Sequence, residues 1–480
     1  MRSQRANEIG LLVIVLLLMG VTITPFLRAD PPCTHDGGLH YFRIVAIRHA
    51  LEDGLPVSRW MPDLAFGYGN PFLNYRAALS YYTGLALYLT GMSLPLALNM
   101  VYVLSLVGSA VGAYLLGRDL FGRWAGLVSA VAYVYAPYPL IDALVRGNMP
   151  ESLALAVMPF TMWAFRRLLV SGRTRYLLTS AGLLALLSLT HNISSLLFVP
   201  FLGLYLLVTW LARRRQGHLG AVCAALALGL GLTAFYWAPA VLETNQVQLY
   251  LSRTSRTNDY HYNFVSLSEV LAPPELADPA LLNPPLRLPL GLPLAVVALV
   301  GTALALWRWR AVRTEPRGKS SADLERRASV VFFALSSIVM IFMATRASLP
   351  IWENLPLIAF VQFPWRFIGR AILPLSLLAA ALVPALPRNP TTQSPIPNPP
   401  FPLPHRPHHR RPIDSRRPAV HLPRHRLLSH QAPAGHPRFV RLRAQHRPGG
   451  RGPLGQLLSG DGASSPQRFA VGSPIRCGLV

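Results

Sequence analysis

Long apolar runs alternate with short basic loops along residues 1–387. Each run has about 20 residues, enough for an α-helix to cross a hydrocarbon core of about 30 Å. The pattern predicts an all-α polytopic membrane protein with about ten transmembrane helices. We expect these spans at residues 9–27, 94–117, 124–141, 151–170, 176–191, 193–212, 219–240, 288–308, 329–346 and 367–387.

The first run, residues 9–27, follows Arg2 and Arg5, and a secretory signal peptide shares this basic start and apolar stretch. The run is long, however, and it ends in Thr24-Pro25-Phe26-Leu27-Arg28 without a small-x-small cleavage site. We therefore predict a retained first helix whose N-terminus is cytoplasmic.

The segment from Ala77 to Gly91 decides the orientation of the remaining spans. It is apolar but short, and Ser80, Tyr81, Tyr82 and Thr83 interrupt it. If it does not cross, the most basic loops all fall on the cytoplasmic side, as positive-inside bias requires. If it crosses, every one of those loops lies outside. We therefore predict a helix at the outer interface.

This choice places four segments on the non-cytoplasmic side. They are a large first loop with interfacial helices, two shorter loops and a second long loop. The tight turn at His191-Asn192 is predicted on the same side of the membrane. The four loops comprise residues 29–93, 142–150, 241–287 and 346–366.

Composition agrees with a membrane protein. The chain has 480 residues, of which 52% are hydrophobic and only 14% charged, whereas a soluble protein carries about 25% charged residues. Mean hydropathy is +0.36. A soluble enzyme is thereby excluded. Cys33, Cys223 and Cys477 are too few and too scattered for a disulfide framework or a thiolate metal site.

The net charge of +25 divides between two regions. Residues 388–480 hold 15 arginines and two acids, which gives +13, and the remainder of the chain carries +12. Positive-inside bias explains the second value. Because no basic patch is interleaved with aromatic residues, we expect no nucleic-acid partner.

Residues 388–480 form a tail rich in Pro, Arg and His, without apolar periodicity. Composition permits a disordered segment. Out-of-frame translation of a GC-rich gene is the other interpretation, and we favour it because the whole chain has one lysine, Lys319. In either case, His405, His408 and His409 are not expected to bind metal.

The first outer loop carries a candidate carboxylate. A helix that starts near Asp36 would place Asp36, His40 and Arg43 on one face. A carboxylate just above the membrane could hold a divalent cation or accept a proton from an attacking hydroxyl. The alternative is that Asp36 caps the helix.

Three further motifs lie at span ends. Arg146 and Glu151 flank Gly147-Asn148-Met149-Pro150. Pro150 and Glu151 suit the first turn of a helix; the alternative is that Arg146 and Glu151 enter a polar pocket with the first loop. His191-Asn192 could satisfy helix ends, and Asn192-Ile193-Ser194 matches a glycosylation sequon. Gln362 to Phe367 precedes the last span, where Arg366 and Arg370 could anchor at the interface or bind a lipid phosphate.

Together these motifs resemble the bacterial membrane family labelled "6-pyruvoyl-tetrahydropterin synthase-related", over roughly residues 9–387. The label does not indicate an activity, since the soluble synthase uses a three-histidine zinc site that these spans lack. The motifs are Asp36-Gly37-Gly38 with His40 and Arg43, Leu55-Pro56 to Pro71, Arg146 to Glu151, Leu189 to Asn192, and Gln362 to Phe367.

The layout is also similar to the C-type glycosyltransferase superfamily. This resemblance implies transfer of a sugar from a polyprenyl-phosphate donor to an acceptor outside the cytoplasm, in assembly of envelope glycans or glycolipids at the bacterial inner membrane. Asp36 matches the acidic residue of the first loop, and would bind Mg²⁺ or Mn²⁺ or activate the acceptor. Glu151 would be a second carboxylate. The implied substrate-binding residues are His35, His40, Arg43, Arg146, His191, Asn192, Gln362 and Arg366.

Two departures from that superfamily are evident. The paired acids of protein mannosyltransferases are absent, because His35 precedes Asp36. An external C-terminal domain is missing or was lost with the aberrant tail. The alternatives to an enzyme are a transporter or flippase and a non-catalytic protein of envelope assembly. A transporter would place charged groups near the bilayer midplane, whereas here they lie at the outer edge.

Overall fold

The computed structural model describes residues 2–28, 34–248, 255–275, 286–311 and 320–383. The tail at 388–480, whether disordered or frameshifted, lies outside the described residues, as do parts of the loops predicted at 29–93 and 241–287.

Within these ranges the chain is helical, and its only β-type pairing is an isolated bridge between Met61 and Asn70. The all-α prediction is confirmed. In chain order the helices are α1 (Arg2–Ile23), α2 (Gly37–Glu52), α3 (Phe72–Tyr75), α4 (Leu79–Leu89), α5 (Leu94–Phe121), α6 (Arg123–Val134), α7 (Pro137–Ile141), α8 (Met149–Ser171), α9 (Thr174–Thr190), α10 (Asn192–Ala212), α11 (Leu219–Leu232), α12 (Ala234–Leu242), α13 (Leu267–Leu271), α14 (Leu292–Ala311), α15 (Ser321–Ala344), α16 (Leu349–Asn354) and α17 (Arg366–Ala380).

Five of these helices, α5, α8, α10, α14 and α15, are long and apolar enough to cross a membrane. Two bent pairs raise the number to seven: α6 with the segment Pro137–Arg146, bent by 46°, and α11 with α12, bent by 69°. The predicted total of ten spans is not confirmed, because α9 has 17 residues and α17 has 15. The first apolar helical segment, Val13–Leu27, begins within α1 and continues through the 3-10 turn Thr24–Leu27.

The short segment that set the predicted orientation forms α4, a helix of 11 residues. At a rise of 1.5 Å per residue, α4 is about 16 Å long, roughly half of the hydrocarbon thickness. This length agrees with the prediction that α4 does not cross. Its place at the outer interface stays a prediction.

Glycines let α5 approach α6 and α8 closely. A Cβ at Gly112 would lie 2.8 Å from Pro159 of α8, and one at Gly126 of α6 would lie 2.7 Å from the carbonyl oxygen of Tyr114. Small residues at helix interfaces are how membrane helices gain packing where the hydrophobic effect is weak. The three helices therefore form one tightly packed group. This group supports the loop that precedes α8.

A buried ionic cluster connects four helices at the C-terminal end of α8. Arg166 pairs with Asp119 of α5, and its Nη2 lies 2.6 Å from Oε1 of Glu325 in α15. Arg213, just after α10, places Nη1 2.6 Å from Oε2 of Glu325. The basic loops that contain Arg166 and Arg213 are evident in the sequence, but their ion pairs are not, because the partners are far apart in the chain.

Candidate functional site

The first outer loop pairs with the loop before α8 through the backbone. The His35 N–H donates to the Val145 carbonyl oxygen at 3.1 Å, and the Asp36 N–H donates to that of Arg146 at 2.8 Å. Gly147 has a positive φ of 71°, and a Cβ there would lie 2.1 Å from Oγ1 of Thr34. The two loops predicted to share one face are therefore in direct contact.

The start of α8 is built as the sequence predicts for a helix N-terminus. Asn148 accepts the Glu151 N–H at 3.0 Å, and Pro150 occupies the first turn. Because Pro150 lacks an N–H, it leaves no unpaired donor there. This cap fixes Glu151 one turn inside the helix with its side chain fully buried.

Glu151 is the centre of a buried ion cluster. Its Oε2 lies 2.8 Å from Nη1 of Arg146, and its Oε1 accepts the Tyr138 hydroxyl at 2.8 Å and also pairs with Arg370. Arg366 places Nε 3.5 Å from Oε2. A buried carboxylate requires such partners, because an unpaired charge in a low-dielectric interior is costly.

Asp142 completes this cluster and was not among the predicted residues. It lies in a π-helical turn, Asp142–Arg146, where Oδ1 accepts from Arg146 Nη1 at 2.8 Å and Oδ2 accepts from Ser152 Oγ at 3.0 Å. Its spacing of four residues from Arg146, within an otherwise apolar run, was a signal available in the sequence. An acid inside a span is rare and needs a partner.

Arg366 and Arg370 reach this cluster from α17. Arg366 is 6% exposed and donates to the Val361 carbonyl oxygen at 2.7 Å. Arg370 also bonds to Ser194 of α10. The predicted role of Arg366 as a ligand for a donor phosphate stays a prediction, and its present contacts are with Glu151 and the backbone.

Asp36 differs from the other carboxylates because its side chain is 36% exposed. It stands at the N-cap of α2 without a capping hydrogen bond from its side chain, while Thr34 Oγ1 accepts the Gly37 N–H at 3.0 Å. Its Oδ2 lies 3.8 Å from Nε of Arg146. The capping alternative therefore lacks its hydrogen bond, and the carboxylate is open to a ligand.

His40 is buried one turn along α2 from Asp36. Its Nε2 lies 2.8 Å from the Gly147 carbonyl oxygen, which also accepts the Tyr102 hydroxyl at 2.7 Å. Burial, with a further contribution from Arg43, lowers the pKa of His40 to about 3. The imidazole is therefore neutral at pH 7, and it braces the contact between the two loops.

Arg43 and Arg76 lie against one aromatic ring. Their guanidinium carbons are 4.4 Å and 5.5 Å from the ring centre of Phe72, and Arg43 also donates to the Tyr81 hydroxyl at 2.9 Å. Among the described residues, neither arginine has a carboxylate within ion-pair distance. Sequence analysis named Arg43 but missed Arg76, which stands alone before an apolar segment.

His191 and Asn192 have contacts at helix ends. His191 caps α10 by accepting the Ser194 N–H at 3.3 Å, and Asn192 donates to the Tyr75 carbonyl oxygen at 3.2 Å. His191 joins the cluster through Ser194, which also bonds to Arg370. Gln362 has a positive φ of 63° directly before the turn into α17. His191 is therefore connected to the cluster through Ser194, whereas Asn192 contacts the first outer loop through Tyr75.

The charges of this region divide into two groups. Three carboxylates and three guanidinium groups form a cluster without net charge: Asp36, Asp142 and Glu151 with Arg146, Arg366 and Arg370. Arg43 and Arg76 stand beyond this cluster and add two positive charges. The geometry therefore presents one open carboxylate near two guanidinium groups that have no carboxylate within ion-pair distance among the described residues.

The predicted divalent cation is not confirmed by the described residues. No group of three or more His, Cys, Asp or Glu side chains suited to a metal occurs in the part of the chain that the structure describes. Asp142 and Glu151 pair with arginines, so Asp36 is the one carboxylate of this site, within the described ranges, that is open to a ligand. Since Mg²⁺ and Mn²⁺ need several oxygen ligands, no step is assigned to a cation.

An apolar cavity of about 150 Å³ lies between the first outer loop and α12. Its wall includes Leu73, Asn74 and Leu79 from the first loop, Leu189 at the end of α9, and Phe235 and Tyr236 of α12. Asn74 and Leu79 flank Arg76 in the sequence. The cavity thus adjoins the segment that carries the guanidinium pair.

Residues 73–392 match the family model described as "6-pyruvoyl-tetrahydropterin synthase related domain; membrane protein". The chain belongs to this family. The family assignment and the apolar helices together show a membrane protein, as the sequence predicts. The matched range includes Arg146, Glu151 and Arg366 and begins after Asp36.

One curated relative, an uncharacterized protein of Lactococcus lactis subsp. cremoris (strain MG1363), is 22% identical over 267 residues. The match covers 53% of this chain and 43% of the relative, so the chain spans less than half of that protein's length.

Two solved structures are similar to this chain. ArnT from Cupriavidus metallidurans bound to undecaprenyl phosphate has 16% identity and a TM-score of 0.48, over 78% of this chain and 60% of that one. The apo oligosaccharyltransferase of Archaeoglobus fulgidus has 11% identity and a TM-score of 0.44, over 78% of this chain and 50% of that one.

Proposed function

We propose that this chain is an integral membrane glycosyltransferase. It transfers a sugar from a polyprenyl-phosphate-linked donor to an acceptor on the non-cytoplasmic side, in envelope glycan or glycolipid assembly. The observation that carries the proposal is the partly exposed carboxylate of Asp36, held by backbone pairing near two guanidinium groups that lack a close carboxylate partner and near an apolar cavity. Each of these three parts meets one chemical need of the reaction.

Asp36 acts as the general base. Its carboxylate accepts the proton of the acceptor hydroxyl as that oxygen attacks the anomeric carbon of the sugar. Nε of Arg146 lies 3.8 Å from Oδ2 of Asp36, so this guanidinium group helps to orient the carboxylate. The backbone bond from Asp36 to Arg146, at 2.8 Å, fixes the position of the base.

Arg43 and Arg76 bind the donor phosphate. As the bond from the anomeric carbon to the phosphate oxygen breaks, the leaving polyprenyl phosphate gains negative charge. Two guanidinium groups without carboxylate partners are suited to stabilise that charge, since guanidinium pairs bidentately with phosphate oxygens. The flat ring of Phe72 holds both groups in place through cation–π contacts of 4.4 Å and 5.5 Å.

Glu151 is a positioning residue in this account. It is fully buried and bound to Arg146 and Arg370, so it holds the guanidinium group that faces Asp36. The cluster of Asp142, Arg146, Glu151, Arg366 and Arg370 therefore supports the base and does not itself meet the substrate. In this proposal Arg366 supports the site. The donor phosphate, which Arg366 was predicted to bind, is bound by Arg43 and Arg76.

The distribution of charge favours an enzyme over a transporter. The buried ionic groups concentrate at the two ends of α8, around Glu151 and around Arg166, which are about 22 Å apart along a helix. Transporters place their substrate and ion sites near the midplane between such ends. Within the described spans the charged clusters lie at the ends.

The proposal is tested with purified full-length chain reconstituted in nanodiscs and a panel of undecaprenyl-phosphate monosaccharides. Release of undecaprenyl phosphate, with water or added glycan as acceptor, is the readout. We expect release from at least one donor, and release slower by about 10²-fold or more from an Asp36→Asn preparation. Release that is equal in the two preparations would contradict the assignment of Asp36.

A further inference from the structure

The helix α12 is attached to the protein at its two ends. It follows α11 after a bend of 69°, and none of its nine residues is buried. Two of its side chains, Phe235 and Tyr236, nevertheless form one wall of the apolar cavity. A helix that closes a cavity without burying its own residues is held mainly by its end contacts.

The first end is a hinge at Thr233. Thr233 is buried, and its Oγ1 donates to the Leu230 carbonyl oxygen at 3.1 Å. The Trp237 Nε1–H donates to the same carbonyl at 2.9 Å, which braces the bend from the other side. These contacts fix the position of the hinge. The direction in which α12 points then depends on the contacts at its other end.

The second end is a latch at Glu243. Oε1 of Glu243 lies 2.9 Å from Arg59 Nη1, and Oε2 accepts from Asn74 Nδ2 at 2.9 Å. The Tyr75 hydroxyl donates to the Glu243 carbonyl oxygen at 2.9 Å. The three partners all belong to the first outer loop, and Arg59 and Asn74 also line the cavity.

The latch is accessible to solvent. The side chains of Arg59 and Glu243 are 51% and 37% exposed. An exposed ion pair is worth little and exchanges readily with water. The contact can therefore close the cavity and still open on the time scale of loop motions, whereas the buried cluster around Glu151 cannot.

We propose that α12 is a gate, pivoting at Thr233 and latched by Glu243, that admits the isoprene unit nearest the phosphate of a polyprenyl phosphate to the cavity. This inference rests on the proposed function for the identity of this lipid. The cavity is lined mainly by apolar side chains, and Asn74 and Leu79 of its wall flank Arg76 in the sequence, so an isoprene unit in it would bring the attached phosphate towards the guanidinium pair. A polar sugar from the aqueous phase would gain no comparable free energy from contact with these apolar side chains.

The gate is tested with a reporter cysteine, Leu79→Cys, in a background where Cys33, Cys223 and Cys477 are replaced by Ser. The rate of its modification by N-ethylmaleimide is measured in nanodiscs. We expect Glu243→Ala to raise this rate about two- to fivefold, the range expected for loss of an exposed ion pair. The matched control is Glu52→Ala, which removes the exposed Arg48–Glu52 pair of the same loop without touching α12. It should leave the rate unchanged.

The charge-reversed pair Arg59→Glu with Glu243→Arg should restore the slow rate. A rate in Glu243→Ala equal to that of the parent would overturn the gate. Undecaprenyl phosphate should protect the reporter cysteine, and absence of protection would overturn the proposed occupant. No sugar donor is present, so failure of the transfer reaction would leave these results standing.

Discussion

The backbone N–H of Asp36 donates to the carbonyl oxygen of Arg146 at 2.8 Å, although the two residues are 110 positions apart in the chain. This bond connects the first outer loop to the turn before α8. It sets an open carboxylate beside a guanidinium group that the buried Glu151 holds in place. The chemistry that we propose depends on this contact.

Loss of Glu151 should act on stability. Glu151→Gln leaves Arg146 and Arg370 buried without their charge partner, and breaking a buried pair costs about 3–5 kcal/mol. We expect a large fall in the thermal unfolding temperature and a low yield of folded protein. Thermal unfolding in detergent, followed by circular dichroism, measures this. Glu52→Gln, which removes only an exposed pair, is the control, and an equal effect in the two variants would contradict the buried role.

Arg43 and Arg76 should act on donor binding. Replacing either by Gln removes one guanidinium group from the proposed phosphate site, and we expect the KM for the lipid donor to rise about tenfold or more, since charge-assisted bonds contribute about 1.5–3 kcal/mol each. Arg48→Gln, on the same helix as Arg43 but paired with Glu52, is the matched control. Unchanged donor KM in both Arg43→Gln and Arg76→Gln would remove them from the site.

His40 should make stability depend on pH. Burial lowers its pKa to about 3, whereas in the unfolded chain it is about 6.5. Between these values the unfolded state binds more protons, so the folded state is increasingly disfavoured as pH falls below 6.5. From pH 7.5 to pH 5 this amounts to about 2 kcal/mol. We expect His40→Gln to lose less stability than the parent over this interval. Parallel losses would show that another group is responsible.

The orientation can be tested by surface labelling in intact cells. Phe66 is fully exposed in the first outer loop, and Arg215 follows α10. We expect Phe66→Cys to react with a membrane-impermeant maleimide from outside, and Arg215→Cys to react only after permeabilisation. Labelling of both positions from outside would mean that α4 crosses the membrane, and the reverse pattern would mean that the N-terminus is not cytoplasmic.

Much of the architecture could be predicted from hydropathy. Apolar runs specify helices because backbone groups must be satisfied within each segment in lipid, and predicted spans at 94–117, 151–170 and 193–212 coincide with α5, α8 and α10. The number of crossings could not be read in the same way. Bends such as that at Thr233 and helices as short as α9 depend on packing against neighbours.

The candidate site was only partly predictable. Asp36, Arg146 and Glu151 stand out in the sequence because charged residues next to apolar spans are candidates for a functional site. Their division into an open carboxylate and buried supports depends on contacts between distant segments, such as Arg370 with Glu151. Arg76 and Glu243 could not be recognised from the sequence. Arg76 contacts the ring of Phe72 and Glu243 pairs with Arg59, and these contacts form only in the folded chain.

The most direct test compares Asp36→Asn with the parent chain in the same nanodiscs. Asn keeps the size of the side chain and removes its basicity. We predict that release of undecaprenyl phosphate from the active donor falls about 10²-fold or more, as expected for loss of a general base, while the unfolding temperature and the KM for the donor stay close to the parent values. A variant that is equally stable and retains full turnover would contradict the account.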